Sequence, residues 1–364
     1  MSKNRIRKFD YRDAKATEFL KLMQGRQHAA PSLRVFVVTK YGVMMALQLT
    51  MACGDYDRTH PLIDGSIKPE GIELNWLVLP HLEIWTRMLN HYDFDASEIS
   101  LSSYITAKTM GKPLTAIPVF PARAFRHSYI FINTKSGIRE PKDLTGKRIG
   151  LGEFQQTATV WMRGMLQHEY GVNLDEIEWH LWTPHARMEM ELPKRYKIKR
   201  ITPDRKPDQM FFDGELDAIM VPSLFPSLFN PPPHIRRLFQ DSPKVEAEYF
   251  QRTGIFPIMH SVALRQNVWE DNPWIARSLF KAFQRAKEDA YARLKDLSPY
   301  KISLAWFRGP VEEQERILGY DPWPYGMEKN RHVVETLATY LHEQGLADRK
   351  MPLEELFAPN TLDL

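Results

Sequence analysis

Leu114-Thr115-Ala116-Ile117-Pro118-Val119-Phe120-Pro121-Ala122-Arg123-Ala124-Phe125-Arg126-His127-Ser128-Tyr129-Ile130-Phe131-Ile132-Asn133 reads as strand, loop, strand. The flanks, Leu114 to Phe120 and Ser128 to Ile132, are short apolar runs containing β-branched and aromatic residues, the pattern of buried strands. Between them lie Arg123, Arg126 and His127. Toward the N-terminus the chain alternates strand and helix: Leu47 to Ala52 as a first strand, Ile72 to Leu79 as a strand stopped by Pro80, Glu83 to Tyr92 as a helix with Ile84, Met88 and Leu89 on one stripe, Phe94 to Ile99 as a strand and Ser103 to Thr109 as a helix. Toward the C-terminus a second round begins with Lys147 to Leu151 as a strand, a turn over Gly152 to Thr157, and a helix from Ala158 to Tyr170 closed by Gly171. Glu178 to Trp182 and Leu216 to Val221 read as strands, 184–208 as helix plus loop, and Pro231 to Pro233 as an extended connector. Ile258 to Leu264 returns as a strand, and helices are expected over Asn272 to Leu294, Lys301 to Phe307, Pro310 to Leu318 and Lys329 to Gln344, with a turn at Leu353 to Phe357. Such alternation implies an α/β layer architecture. A chain that passes from one α/β unit to another and back implies two lobes with a ligand cleft between them. The expected boundaries are an N-terminal extension at 1–46, lobe 1 at 47–132, lobe 2 at 133–255, and a return to lobe 1 at 256–364.

Composition narrows the function classes. The 364 residues carry 49 Lys+Arg and 45 Asp+Glu, a formal charge of +4. Residues 1–34 alone hold nine of the bases and three of the acids, which makes 9 − 3 = +6 there and leaves 4 − 6 = −2 for the rest. A nucleic-acid footprint spread over the fold is therefore not expected, and the first 46 residues read as a basic, disordered or loosely docked tail. One cysteine, Cys53, excludes a disulfide framework. The most apolar run, Val35 to Ala52, is interrupted by Lys40 and Gln48, so neither a membrane span nor an export leader is expected and the protein reads as cytoplasmic.

The runs Ala52-Cys53-Gly54-Asp55-Tyr56-Asp57-Arg58-Thr59, Pro69-Glu70-Gly71-Ile72, Phe94-Asp95-Ala96-Ser97-Glu98-Ile99-Ser100, Ile117 to Ser128 through Arg123-Ala124-Phe125-Arg126-His127, Phe256-Pro257-Ile258-Met259-His260 and Asp321-Pro322-Trp323-Pro324-Tyr325-Gly326 resemble the 4,5-dihydroxyphthalate decarboxylase family. The resemblance covers about 47–359 and is most specific in the Arg-His run. It implies an α/β, two-lobed type II periplasmic-binding-protein-like fold. It also implies an intracellular carboxy-lyase of phthalate degradation, converting 4,5-dihydroxyphthalate to protocatechuate and carbon dioxide. The first 46 residues and 184–208 depart from the family pattern.

A phthalate is a dianion, and its cleft needs cations and N–H donors to replace lost water. Arg123 and Arg126 suit this role, the alternative being surface charge or a bridge to Glu98. Tyr56 and Arg58 follow the first strand, where loops of open sheets line a ligand crevice, although Asp55 and Asp57 offer Arg58 a purely structural partner. Ser100 and Ser103 stand at a strand-to-helix turn as binding groups or simple caps. Gln156 and Thr157 precede a helix whose free N–H groups suit an anionic oxygen, and Arg163 either reaches the same face or pairs with Glu169. Decarboxylation of such a ring needs a base for the hydroxyl, a proton donor over the carbon that loses its carboxylate, and cations for the carboxylate that stays. His127 is the expected proton donor, assisted by Glu98, with His260 as the next candidate.

The chemistry has no obligatory cofactor, and no residue is assigned as a metal ligand. A divalent ion stays open because catechol oxygens favour hard ions, but His180, His185 and Glu189 lack the His-Glu-x-x-His arrangement. The expected partner is a small aromatic carboxylate, with no nucleic acid and no membrane, and the oligomeric state is open. The rival reading is a solute-binding receptor of an ABC transporter for a small organic acid, since the same cleft binds such acids without reacting with them.

Overall fold

Ala96–Ser100 and Leu114–Ile117 are buried along their whole length, which is why neither alternates polar and apolar residues, and Glu98 is the one charged side chain they take inside. Between them His260–Arg265 runs antiparallel to both, with Val262 opposite Glu98 on one side and Ile117 on the other. The first sheet has five strands in the order Ile72–Leu77, Leu47–Ala52, Ala96–Ser100, His260–Arg265, Leu114–Ile117. The second has six, in the order Lys197–Arg200, Glu178–Leu181, Arg148–Leu151, Ala218–Met220, Ile130–Asn133, Ile235–Arg237. Arg148–Leu151 lies parallel to both neighbours, and Ile130–Asn133 is antiparallel to both of its own. Phe131, Phe211, Leu216, Ile219 and Val221 belong to one buried cluster on this second sheet. The structure, a computed structural model, describes residues 36–39, 42–183, 188–296 and 303–364. The chain divides into units 1–48 and 49–364, and the cavity and its lining residues belong to the second.

The chain changes sheets through Pro118 to Tyr129 and returns through Ile255 to Met259. The two crossings are bonded to each other. Arg123 and Ile258 form an antiparallel bridge, the Ala124 N–H donates to the Pro257 carbonyl at 3.1 Å, and the Met259 N–H donates to the Ala122 carbonyl at 2.8 Å. Because Ile130–Asn133 already pairs in the second sheet, the chain has left the first sheet before residue 130, earlier than the expected boundary after 132.

Several elements differ from the sequence reading. The stretch 184–208, expected to hold a helix, contains the edge strand Lys197–Arg200, whose lysines and arginine hid the ladder it forms with Glu178–Leu181; charged edges of this kind discourage further pairing. Residues 184–187, including His185, lie outside the described residues. The strand Ile235–Arg237 and the helix Ser242–Thr253 were not anticipated. The helix expected from Asn272 begins instead at Trp274, after Pro273, which lacks the N–H a helix interior needs, and a separate short helix, Gln266–Asp271, precedes it. In place of the helix expected over Lys301 to Phe307, residues 303–307 are non-helical and a helix starts at Arg308; 297–302 lie outside the described residues. The N-terminal unit contains an antiparallel pair, Phe36–Thr39 with Gly42–Met45, Phe36 opposite Met45. Residues 1–35, expected as a disordered tail, lie outside the described residues. Among the described residues no helix is long and apolar enough to cross a membrane.

The helix Thr157–Tyr170 carries the second lobe's contribution to the cleft, and it is held against the C-terminal helix Arg331–Glu343. Gly164 makes this approach possible, since a Cβ there would stand 2.0 Å from the Tyr340 ring. Replacing Gly164 by Ala is expected to destabilise the fold by about 1–3 kcal/mol through overpacking. The urea midpoint would fall with an unchanged m value.

Candidate active site

A carboxylate without any exposure to water, Glu98, sits in the middle of the central strand of the first sheet. Glu98 lies two residues from Ser100, which pairs with His260 across the ladder, so the glutamate and the histidine are diagonal neighbours on one face. His260 Nδ1 stands 2.5 Å from Glu98 Oε1. Tyr56 Oη donates to the same oxygen at 2.8 Å, and the Gly54 N–H and Cys53 Sγ reach Oε2 at 2.9 and 3.3 Å. His81 Nε2 lies 2.6 Å from Tyr56 Oη and 3.4 Å from Glu98 Oε2. Because the one Tyr56 hydroxyl hydrogen goes to Glu98, His81 Nε2 is the donor to Tyr56. Burial pushes the Glu98 carboxyl up, but attraction to His260 and the hydrogen bonds from His260 and His81 outweigh it and hold the group well below the usual carboxylate range. The His81 imidazole is raised, first by its hydrogen bond to Glu98. Burial and the adjacent Glu98 charge raise the Cys53 thiol and the Tyr56 phenol, which stay protonated. Gly54 is required here by space, because a Cβ would meet the Tyr56 ring at 2.6 Å.

Next to this cluster is a cavity of about 340 Å³ whose walls include His81, Trp85 and His260 from the first lobe, Arg123 and Arg126 from the crossing, and Gln156, Thr157 and Ala158 from the second lobe. Arg123 donates to the carbonyls of Phe256 and Pro324 at 3.0 and 2.8 Å and to Asn330 Oδ1. Its Nε is buried without a partner. Arg126 bonds Met259 Sδ at 3.1 Å and the Pro222 carbonyl at 2.9 Å. Both are buried, and among the described residues neither has a carboxylate partner. Burial lowers Arg123 to about 9 and Arg126 to about 10, so both remain cations at neutral pH. Gln156 adds a buried amide oxygen with no partner. Two cations lacking counter-ions thus face the same cavity as two imidazoles backed by a buried carboxylate.

The other sequence candidates fall into place around this centre. Ser100 lines the cavity and bonds Thr157 Oγ1 at 2.8 Å across the lobes, and Ser103 stands behind it, donating to Ser100 Oγ at 3.2 Å. Arg58 is not on the cavity wall. Its guanidinium lies between the Tyr56 and Trp323 rings, 4.3 and 4.4 Å from their centres, and donates to the Pro121 carbonyl at 2.7 Å, so it holds the Tyr56 ring in place. Arg163 points away from the cleft and binds Gln344 and the Phe154 carbonyl at 2.9 and 2.6 Å over the Phe154 ring; Glu169 pairs with Arg252 instead. His127 is also absent from the cavity wall. It is fully buried among Tyr170, Phe239 and Tyr249, with neither ring nitrogen bonded. Glu98, expected to assist it, is joined instead to His260 and His81. His180 pairs with Glu178. The sequence reading missed His81 and Trp85, although Pro80 followed by a histidine and a tryptophan four residues apart marks one face of a helix's first turns.

Two α/β lobes joined by two crossings, with a cavity between them, give the chain a type II periplasmic-binding-protein-like fold. The periplasmic aliphatic sulphonate binding protein of Escherichia coli superimposes with a TM-score of 0.51 at 14% identity, covering 87% of this chain and 99% of that one. A putative periplasmic sulfonate-binding protein of Methylobacillus flagellatus gives 0.53 at 15% identity, covering 87% and 93%. These likenesses concern the fold. In sequence, the chain is 38% identical over 327 residues to a 4,5-dihydroxyphthalate decarboxylase of Comamonas testosteroni, which covers 88% of this chain and 99% of that protein. A protein of the same name from Pseudomonas putida is 34% identical over 216 residues, 57% of this chain and 83% of that protein. No family model matches. The chain belongs to the 4,5-dihydroxyphthalate decarboxylase family.

The position of His127 yields a test. Desolvation, with the Arg252 charge adding to it, lowers its imidazole from 6.5 to about 4. The unfolded chain therefore takes up this proton at a higher pH than the folded one, so the stability due to neutral His127 is fully present above about 6.5 and is lost as pH falls toward 4. Between pH 7 and 4.5 the difference is about 2–3 kcal/mol. His127→Leu should be less acid-sensitive than the unaltered protein by that amount in urea unfolding, and its turnover at neutral pH should persist.

Proposed function

We propose that the chain is a carboxy-lyase that converts 4,5-dihydroxyphthalate to protocatechuate and carbon dioxide in the cavity between its lobes. The observation that carries the reading is the pair of buried guanidiniums, Arg123 and Arg126, without carboxylate partners on a wall shared with His81 and His260. Two buried cations that touch no carboxylate, with Asp321 and Glu246 acting on them only from a distance, are costly to a folded protein, and a dicarboxylate supplies the missing contact. Family membership supports the same substrate.

The cavity has two chemical poles. The arginines and the first N–H groups of the Thr157–Tyr170 helix hold the carboxylates. The imidazoles, with Glu98 behind them, meet the hydroxylated edge of the ring. Removing the proton from the hydroxyl para to the departing carboxylate makes its oxygen an electron donor to the ring. The carbon bearing that carboxylate then takes a proton, giving a dearomatised ketone. The carbon–carbon bond breaks, its electron pair restores aromaticity, carbon dioxide leaves and the hydroxyl is reprotonated. Overall one proton is consumed per turnover. Of the groups on the cavity wall, His81 and His260 are those whose ordinary acidity suits exchange near neutrality.

Purified protein mixed with 4,5-dihydroxyphthalate should release carbon dioxide and protocatechuate in equal amounts. Binding without release would leave only a receptor. Arg126→Ala should cost about 2–5 kcal/mol of substrate affinity, more than about thirtyfold in Kd, whereas the exposed Arg331→Ala should change it little. His260→Gln should depress kcat by a larger factor than it raises the substrate Kd.

A further inference from the structure

The buried cluster behind the cavity is larger than proton transfer requires. His81 Nε2, a Glu98 carboxylate oxygen and His260 Nδ1 all lie within 4.8 Å of one another. They come from three separate elements: the first turn of a helix, the central strand of the first sheet and its returning antiparallel neighbour. Two imidazoles that line the cavity and one carboxylate buried beside them are the ligand set that holds first-row divalent cations while leaving positions free for substrate. We propose that His81, Glu98 and His260 form a three-ligand site for such a cation, whose open positions face the cavity and take the two adjacent ring oxygens of a catechol-type substrate. The proposal rests on reading the cavity as a site for a hydroxylated aromatic acid, and it specifies how the hydroxylated edge is held.

Three features favour an ion here. The carboxylate already carries hydrogen bonds that fix its orientation: the Gly54 N–H, the Tyr56 hydroxyl and the Cys53 thiol all reach it. Among the described residues, no lysine or arginine pairs with Glu98, and its partners are ring nitrogens, a hydroxyl, a thiol and a backbone N–H. Each imidazole nitrogen aimed at the cluster can give up its proton and coordinate instead. Both histidines also line the cavity. Ligand atoms around one such ion stand about 3 Å apart when each is about 2.0–2.2 Å from it, so the 2.5 Å contact between His260 and Glu98 lengthens by a few tenths of an ångström on loading. A cation bound there ionises the neighbouring hydroxyls at neutral pH, as it does bound water, and this is the step the para oxygen needs. The imidazole-rich set favours iron, cobalt, nickel or zinc over magnesium, calcium or manganese.

The full chain, freed of metal by dialysis against a chelator, is titrated with Co²⁺ and followed by visible absorption. One equivalent per chain is expected. Adding protocatechuate should perturb the band, and 3-hydroxybenzoate, which lacks the second hydroxyl, should leave it nearly unchanged. His81→Ala, at a half-exposed position, should weaken Co²⁺ binding by more than about tenfold, and His260→Gln should do the same if His81→Ala folds poorly. Absence of stoichiometric binding, or equal binding by both variants, would overturn the site. A spectrum indifferent to protocatechuate would overturn its role toward the ring oxygens. Full turnover by the metal-free protein would also overturn that role while leaving the decarboxylase reading intact. Loss of that reading alone would show as normal Co²⁺ and protocatechuate responses with no carbon dioxide released.

Discussion

Glu98 is an ionised carboxylate taken wholly out of water, and such a group persists only when paired and hydrogen-bonded, the penalty otherwise being several kcal/mol. Its partners come from four places in the chain: Cys53 and Gly54 after one strand, Tyr56 in the loop beyond, His81 at a helix start and His260 on the returning strand. The partners are thus bound to one another through the charge they share. Removing that charge would take away the bonds these segments share beyond their backbone pairing, and two of the partners, His81 and His260, form part of the cavity wall.

The crossing ribbon supplies the opposite constraint. Residues 122–124 and 257–260 bond each other where the chain passes between sheets, so Arg123, Met259 and His260 are held beside the cleft by one ribbon. Thr157, at the N-terminus of a second-lobe helix, bonds Ser100 and Ser102 of the first lobe directly. Anion-binding groups therefore come from the crossing and from both lobes, the arrangement expected where ligands bind at strand ends and domain junctions.

Four arginines singled out together show how one residue type serves different ends. Arg123 and Arg126 have carbonyl and sulfur partners but no carboxylate and face the cavity. Arg58 is sandwiched by Tyr56 and Trp323 and steadies a ring that bonds Glu98. Arg163 ties the second-lobe helix to Gln344. Nothing in the local sequence separates these fates, because the groups that decide them, Asn330, Trp323 and Gln344, lie more than a hundred residues away. His127 illustrates the same limit. Its place in an arginine-rich loop suggested the cleft, yet the strand that follows turns it into the aromatic cluster of Tyr170, Phe239 and Tyr249.

Strand and helix order, the division into two α/β rounds and the arginine loop between them were legible from the chain, because periodicity and turn chemistry act over a few residues. So was the family, through the runs around Arg58, Glu98 and Arg123 to His127. The charged edge strand Lys197–Arg200 was hidden because its identity lies in its pairing with Glu178–Leu181, not in its own composition. The tertiary structure alone decided that Glu98 answers to His260 and His81 rather than to His127, and that Arg123 and Arg126 face the cleft while Arg163 does not. Those outcomes depend on burial and on partners brought together across sheets, and local sequence contains neither.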